Sequence, residues 1–431
     1  MTKIVIAKDP FALNKGEVAM LEGIIKIFEI YFENPKFSMI SKHPEIDIAR
    51  CDSKIDIIND VTVPASRIKF FRILSNLSST TQDALSLILY KNFNLKTKRV
   101  VSEGRLSAYC QADLITMGHD DALAGIYGGG FPISYMIYAI SIAKYLKIPV
   151  VIFAGSIGPG PINQKISKRV LKILLNKTDL ITLREELSYE YLKTIGVNKT
   201  QIYITADPAF LMPAAAPERV TDIMQIECIN RINKPLIGIS ISQVIARWAF
   251  PEIGTFDEKY LNFINIMAQV VDFLTYELSA FVLFIPHVLG YTKLEDDRIA
   301  ANDIYQLLGK KDCVKLIENE YTPQELKGLI GQLDLFIGAR THSVISAATM
   351  GTPFIAIEYE SHKTRGIIGK MLNCEELVYD VEFLDLNSLI AKINNAWGNR
   401  QKIEEELKSK VEGIDERALM NGRLIKEHIS L

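Results

Sequence analysis

The chain has 431 residues, 48% of them hydrophobic, with 49 Lys and Arg against 51 Asp and Glu for a formal charge of -2. That length exceeds one ordinary hydrophobic core and predicts two domains of comparable size, and the absence of a basic stripe interleaved with aromatics excludes nucleic acid as a partner. The five cysteines, Cys51, Cys110, Cys228, Cys313 and Cys374, form no CxxC pair and have no histidine at metal-ligand spacing, which predicts a reduced, cytoplasmic, metal-free protein.

The opening MTKIVIAK is too short in its apolar part for a signal peptide and reads as a first strand. Apolar runs alternating with helical patterns follow at residues 37–40, 55–58, 112–117, 150–154, 179–183 and 201–204, after the first at 3–7. The pattern restarts at 235–240 and continues at 280–285, 313–316, 333–337, 354–357 and 377–379. Strands joined by crossover helices build parallel sheets. The sequence therefore predicts an α/β fold of two doubly wound Rossmann-like domains, 1–215 and 216–431, facing a cleft and joined by an Ala- and Pro-rich linker at 208–217. Segment 62–98, with many Ser, Thr and Asn, is expected to add helices and a loop to the first domain, and the charge-rich run 400–410 reads as a solvated surface helix. The most apolar stretch, 131–157, is interrupted by Lys144, Lys147 and Pro149, which argues against a membrane span of about 20 residues. A peripheral membrane contact and a homo-oligomer both stay open.

Ligands of open α/β sheets bind beyond the carboxyl ends of the strands, so the turns after strands carry the chemistry. After the first strand, Asn14 is a good helix N-cap and Gly16 permits close backbone approach. After 112–117 comes GHDDALAGIYGGGF, whose glycine spacing matches neither a dinucleotide fingerprint nor a phosphate loop; His119 with Asp120 and Asp121 can hold a sugar hydroxyl or act as acid and base. Gly155 and Ser156 follow the next strand and point to the same cleft. Arg184, ahead of Glu185 and Glu186, is a candidate anion clamp, and His287 after 280–285 either faces the cleft or caps its turn. The most informative turn is GARTH, 338–342, between an apolar strand and a helix spaced by Val344, Ala347 and Ala348. A strand-to-helix turn presents the positive end of the helix dipole to an anion. Arg340 adds a planar donor fork there, Thr341 a hydroxyl, and His342 a group that titrates near neutrality.

In order along the chain, NKGEVA, GGGF, GSIGP, the LRE segment followed by Gly196, DPAFLM, GISIS, IPH and GARTHSVISAATMGTPFIAI resemble the polysaccharide pyruvyl transferase family, of the colanic-acid or cell-wall type. The sequence departs from the family's pattern at GHDD, where an unbroken glycine run is usual, and at Glu17, where Asp is usual. The resemblance implies a fold similar to B-type glycosyltransferases. It further implies transfer of a pyruvyl group from phosphoenolpyruvate to two hydroxyls of a sugar, forming a ketal, with no cofactor beyond this donor and with a sugar or lipid-linked glycan as acceptor. His342 and Arg340 match the family's catalytic and donor-binding pair, and Arg184 resembles its other donor-binding arginine. A nucleotide-sugar glycosyltransferase of the same architecture is the alternative, with Glu358 or Glu360 placed to hold ribose hydroxyls.

Overall fold

The computed structural model describes residues 1–7, 12–59, 104–118, 131–158, 165–229, 234–290, 292–359 and 362–431. The expectations for segment 62–98, for the glycine cluster, and for His119, Asp120 and Glu360 lie outside the described residues.

Two parallel sheets form, as expected. The first contains β1 (Lys3–Ile6), β2 (Lys36–Ser41), β3 (Ile55–Asn59), β4 (Leu114–Met117), β5 (Val150–Gly155), β6 (Leu180–Leu183) and β7 (Ile202–Ile204), in the order β3-β2-β1-β4-β5-β6-β7. The second contains β8 (Leu236–Ser240), β9 (Phe281–Phe284), β10 (Val314–Leu316), β11 (Leu335–Gly338), β12 (Phe354–Glu358) and β13 (Val378–Asp380), in the order β10-β9-β8-β11-β12-β13. The central strands read as unbroken apolar runs because helices cover both faces and bury every residue of β4, β5, β8, β11 and β12. Alternate residues of β1 enter different cores. Ile4 and Ile6 join the helix Lys15–Tyr31 through Leu21, Ile24 and Phe28. Val5 faces the opposite side, with Met136, Ile140 and Leu171.

Strand order reverses between β1 and β4 in the first sheet and between β8 and β11 in the second. The turn after β1, at the first of these switch points, meets the turn after β9 across the cleft. Asn14 pairs with Val288 as an isolated antiparallel bridge, Lys15 N–H donates to His287 O at 2.9 Å, and Leu289 N–H donates to Leu13 O at 2.9 Å. Arg50 and Lys15 both bind Glu320 at 2.6–2.8 Å, which adds an ionic strap between the sheets.

The expected linker at 208–217 is corrected in its first half. Asp207 caps a buried 3-10 turn, Pro208–Leu211, which packs on the helix Lys15–Tyr31. A Cβ built on Gly23 would stand 2.2 Å from the carbonyl oxygen of Pro208, so helix and turn touch backbone to backbone. The sequence of small residues and prolines looks loose because it omits this partner. The final helix, Ile414–His428, closes over the same turn: buried Asn421 accepts from Thr205 Oγ1 at 2.9 Å and donates to Ala206 O at 3.1 Å. The turn that Asp207 caps is thereby held between the helix Lys15–Tyr31 and the final helix.

Candidate active site

Helix Thr341–Met350 begins directly after β11, with Arg340 at its N-cap, and so directs its positive pole at the cleft. His342, in the first turn, is 15% exposed. Its side chain lies against Gly16, where an added Cβ would stand 2.3 Å from Nδ1. Its Nε2 stands 3.4 Å from Asp207 Oδ2, within ion-pair reach but outside good hydrogen-bond geometry. The three groups come from β1, β7 and β11, so the histidine is positioned by both sheets at once.

Substituting Gly16 with alanine is expected to displace the imidazole, because the added Cβ would overlap Nδ1, Cγ and Cβ of His342 at once, at 2.3, 2.6 and 2.8 Å. Misplacement of a reacting group on that scale costs about a hundredfold in rate. Steady-state kinetics of the purified variant, with melting temperature as the fold control, check this; full activity would show that the contact does not position His342.

Asp207 is fully buried and binds Arg184 Nη1 at 2.5 Å. Burial opposes its charge, yet Arg184, His342 and the Ala209 N–H outweigh burial and hold the carboxyl below the usual carboxylate range. Arg184 corrects the expectation of an anion clamp open to the cleft. It is 1% exposed, with Nε donating to Ser156 Oγ at 2.8 Å and Nη1 to Asp207. Ser156 and Gly155 are also interior: Ser156 is spent on Arg184, and a Cβ on Gly155 would stand 2.6 Å from Gly118 O. These residues support the site from behind and do not line it.

Arg340 is the more accessible guanidinium, 18% exposed at the side chain. Asp297 holds it at 2.7 Å, Ser242 Oγ at 2.9 Å and Tyr359 Oη at 3.1 Å. Ser242 follows β8 and Arg340 follows β11, so the arginine stands at the switch point of the second sheet. Asp297 also accepts from the His287 and Val288 N–H groups at 3.1 and 2.9 Å, and fixes the β9 turn to the arginine. Thr341 is buried and shares a hydrogen bond with Thr364 Oγ1 at 2.7 Å. Asn14 performs the cap read from its type, accepting from Gly16 N–H at 3.0 Å.

His287 does not face the cleft as a titrating group. It is buried, and burial pushes its ring down to about 3, partly offset by the carbonyl of Ile285. Stability tied to the neutral ring is thus fully present above the ordinary histidine value of 6.5 and is lost as pH falls from there toward 3. Well below 6.5 the slope from this one group approaches about 1.4 kcal/mol per pH unit. Denaturant unfolding at several pH values between 7 and 5 is expected to show stability falling with pH in the native chain and a flatter slope in His287→Gln. Equal slopes would remove His287 from the account.

Glu358 is buried and occupied: Arg365 donates to it from its backbone N–H at 3.0 Å and from Nε at 2.8 Å. Residues not singled out in the sequence complete the cleft. His362, in the turn after β12, reaches across to Ser188 Oγ and Glu185 Oε1, each at 3.3 Å, and its ring fills the space where Gly158 lacks a side chain. Asp207 and His362 both lie in turns after strands, the signal already in use. Asp297 opens the helix Asp297–Leu307 in a charge-rich stretch and gives no such signal.

A profile of the polysaccharide pyruvyl transferase family matches residues 14–362, from the Asn14 cap to His362. The chain belongs to this family. Within the wider set of relatives, this pyruvyl transferase family member is 26% identical to the amylovoran biosynthesis protein AmsJ of Erwinia amylovora over 97% of each chain. In fold it is similar to Anabaena Alr3699/HepE in complex with UDP-glucose, with a TM-score of 0.58, 13% identity and 99% of each chain covered. The UDP-GlcNAc 2-epimerase of Neisseria meningitidis matches with a TM-score of 0.55, 13% identity and 99% of each chain. The chain thus shares the two-sheet architecture of B-type glycosyltransferases and sugar-nucleotide epimerases. Among the described residues no helix is long and apolar enough to cross a membrane.

Proposed function

We propose that this protein transfers a pyruvyl group from phosphoenolpyruvate to two hydroxyls of a sugar in a cell-surface polysaccharide or its precursor, forming a ketal. The observation that carries the reading is His342, held between Gly16 and Asp207 two residues after Arg340, whose side chain is 18% exposed. The family membership and the likeness to a protein of amylovoran biosynthesis support it.

Arg340 and the N-terminus of helix Thr341–Met350 supply the positive field for the donor's carboxylate or phosphate. Arg184 serves at one remove, as the counter-ion that keeps Asp207 ionised behind the histidine. His342 as imidazolium gives its proton to the methylene carbon of the enol, and C2 becomes a cationic centre that an acceptor hydroxyl attacks. The C–O bond to phosphate breaks, and the second hydroxyl closes the ring. One hydroxyl proton restores the imidazolium and the other leaves with orthophosphate, so the sequence balances without a cofactor. The ion pair between Arg365 and the buried carboxylate of Glu358 argues against the nucleotide-sugar alternative, since a ribose diol would have to displace Arg365 from that carboxylate.

Isotope-labelled phosphoenolpyruvate, incubated with the protein and a glycan fraction from its source, tests the reading. Label in the glycan as a ketal, with matching release of orthophosphate, is the expected result. Sugar transfer from a nucleotide sugar, with no label from phosphoenolpyruvate, would overturn it.

A further inference from the structure

Between Asp121 and Asp179 the chain carries seven Lys and Arg and no Asp or Glu, although its formal charge is -2 overall. This block builds two neighbouring helices, Phe131–Leu146 and Lys165–Leu175, which cover the face of the first sheet opposite the helix Lys15–Tyr31. Arg169 and Ile173 are exposed one turn apart on the second helix, and Lys177 is exposed just beyond its end. Ile173 is 49% exposed and Ile137, on the first helix, 44%. Lys144 is neutralised by Asp179 at 2.6 Å, but Lys147, Arg169 and Lys177 take no ion-pair partner among the described residues.

We propose that this face docks on an anionic lipid bilayer. Cations at headgroup level around a protruding apolar side chain are the arrangement that binds a membrane surface, where the cation meets lipid phosphate and the apolar group enters the acyl boundary. A nucleic acid would match the charge and leave Ile173 without a partner. A crossover helix runs antiparallel to its parallel strands, so both helices begin on the side of the sheet where the cleft opens. Docking on this face therefore places the cleft beside the bilayer. The inference concerns binding alone and holds whichever group the enzyme transfers.

The test is flotation of the full chain with vesicles of phosphatidylcholine alone or with a third of phosphatidylglycerol. Each cation near such a surface contributes on the order of fivefold, so binding to the anionic vesicles is expected to exceed binding to neutral ones by at least about tenfold and to weaken as salt rises. The double variant Arg169→Glu/Lys177→Glu is expected to lose at least about tenfold with an unchanged melting temperature, and Ile173→Asp to lose binding as well. No flotation of the native chain, equal flotation on both vesicle types, undiminished binding by the charge-reversed variant, or binding to a soluble polyanion such as heparin without binding to vesicles would each overturn the proposal.

Discussion

Replacing His342 with alanine is expected to lower turnover by about a thousandfold or more, within the range for loss of a general acid, while leaving phosphoenolpyruvate binding within a few fold. The separation follows from where the groups sit. His342 is joined to the first sheet through Gly16 and Asp207, whereas Arg340 is held independently by Asp297, Ser242 and Tyr359. Removing the ring therefore leaves the bonds that position Arg340 intact. Turnover measured with saturating donor, beside donor titration of the same variant, checks both halves. A variant that turns over at the native rate would exclude His342 as the acid, and one that loses donor binding in proportion to rate would make it a binding residue instead.

The second large effect is on stability. Arg184→Met is expected to destabilise the protein by about 3–5 kcal/mol, because it leaves the carboxylate of Asp207 buried with its strongest counter-charge removed. Asp207 is fully buried, so water cannot replace the guanidinium. The double variant Arg184→Met/Asp207→Asn is expected to recover much of that loss, since a buried pair removed together costs far less than one partner removed alone. Denaturant unfolding of the two single variants and the double variant gives the coupling. Additive losses would mean that the two side chains act separately. The double variant is also expected to stay poorly active despite its recovered stability, because Nε2 of His342 has then lost its counter-ion.

The architecture was legible in the sequence because parallel strands covered on both faces show as bare apolar runs. The strand at 333–337 and the helix spaced by Val344, Ala347 and Ala348 fixed the turn that carries Arg340 and His342, and the structure places both on the cleft. Side-chain direction was less legible. Arg184 and Ser156 follow strands just as Arg340 does, yet they turn inward, because β7 lies beside β6 and brings Asp207 within 2.5 Å of the guanidinium. Which strands are neighbours is a property of the sheet and not of any one segment. The same reason hides Asp297, whose partners are the turn after β9 and an arginine 43 positions later. Gly16 was read as a point of close approach, but that the approaching group is His342 follows from the meeting of the two sheets.

The central claim is that the site binds phosphoenolpyruvate through Arg340, and calorimetric titration tests it most directly. The native chain, Arg340→Ala and a panel of nucleoside diphosphates belong in one experiment. Saturable binding of phosphoenolpyruvate that disappears in the variant, with no comparable binding of the nucleotides, is the predicted result. Saturable binding of a nucleoside diphosphate with none of phosphoenolpyruvate would contradict the account and reassign the cleft to glycosyl transfer.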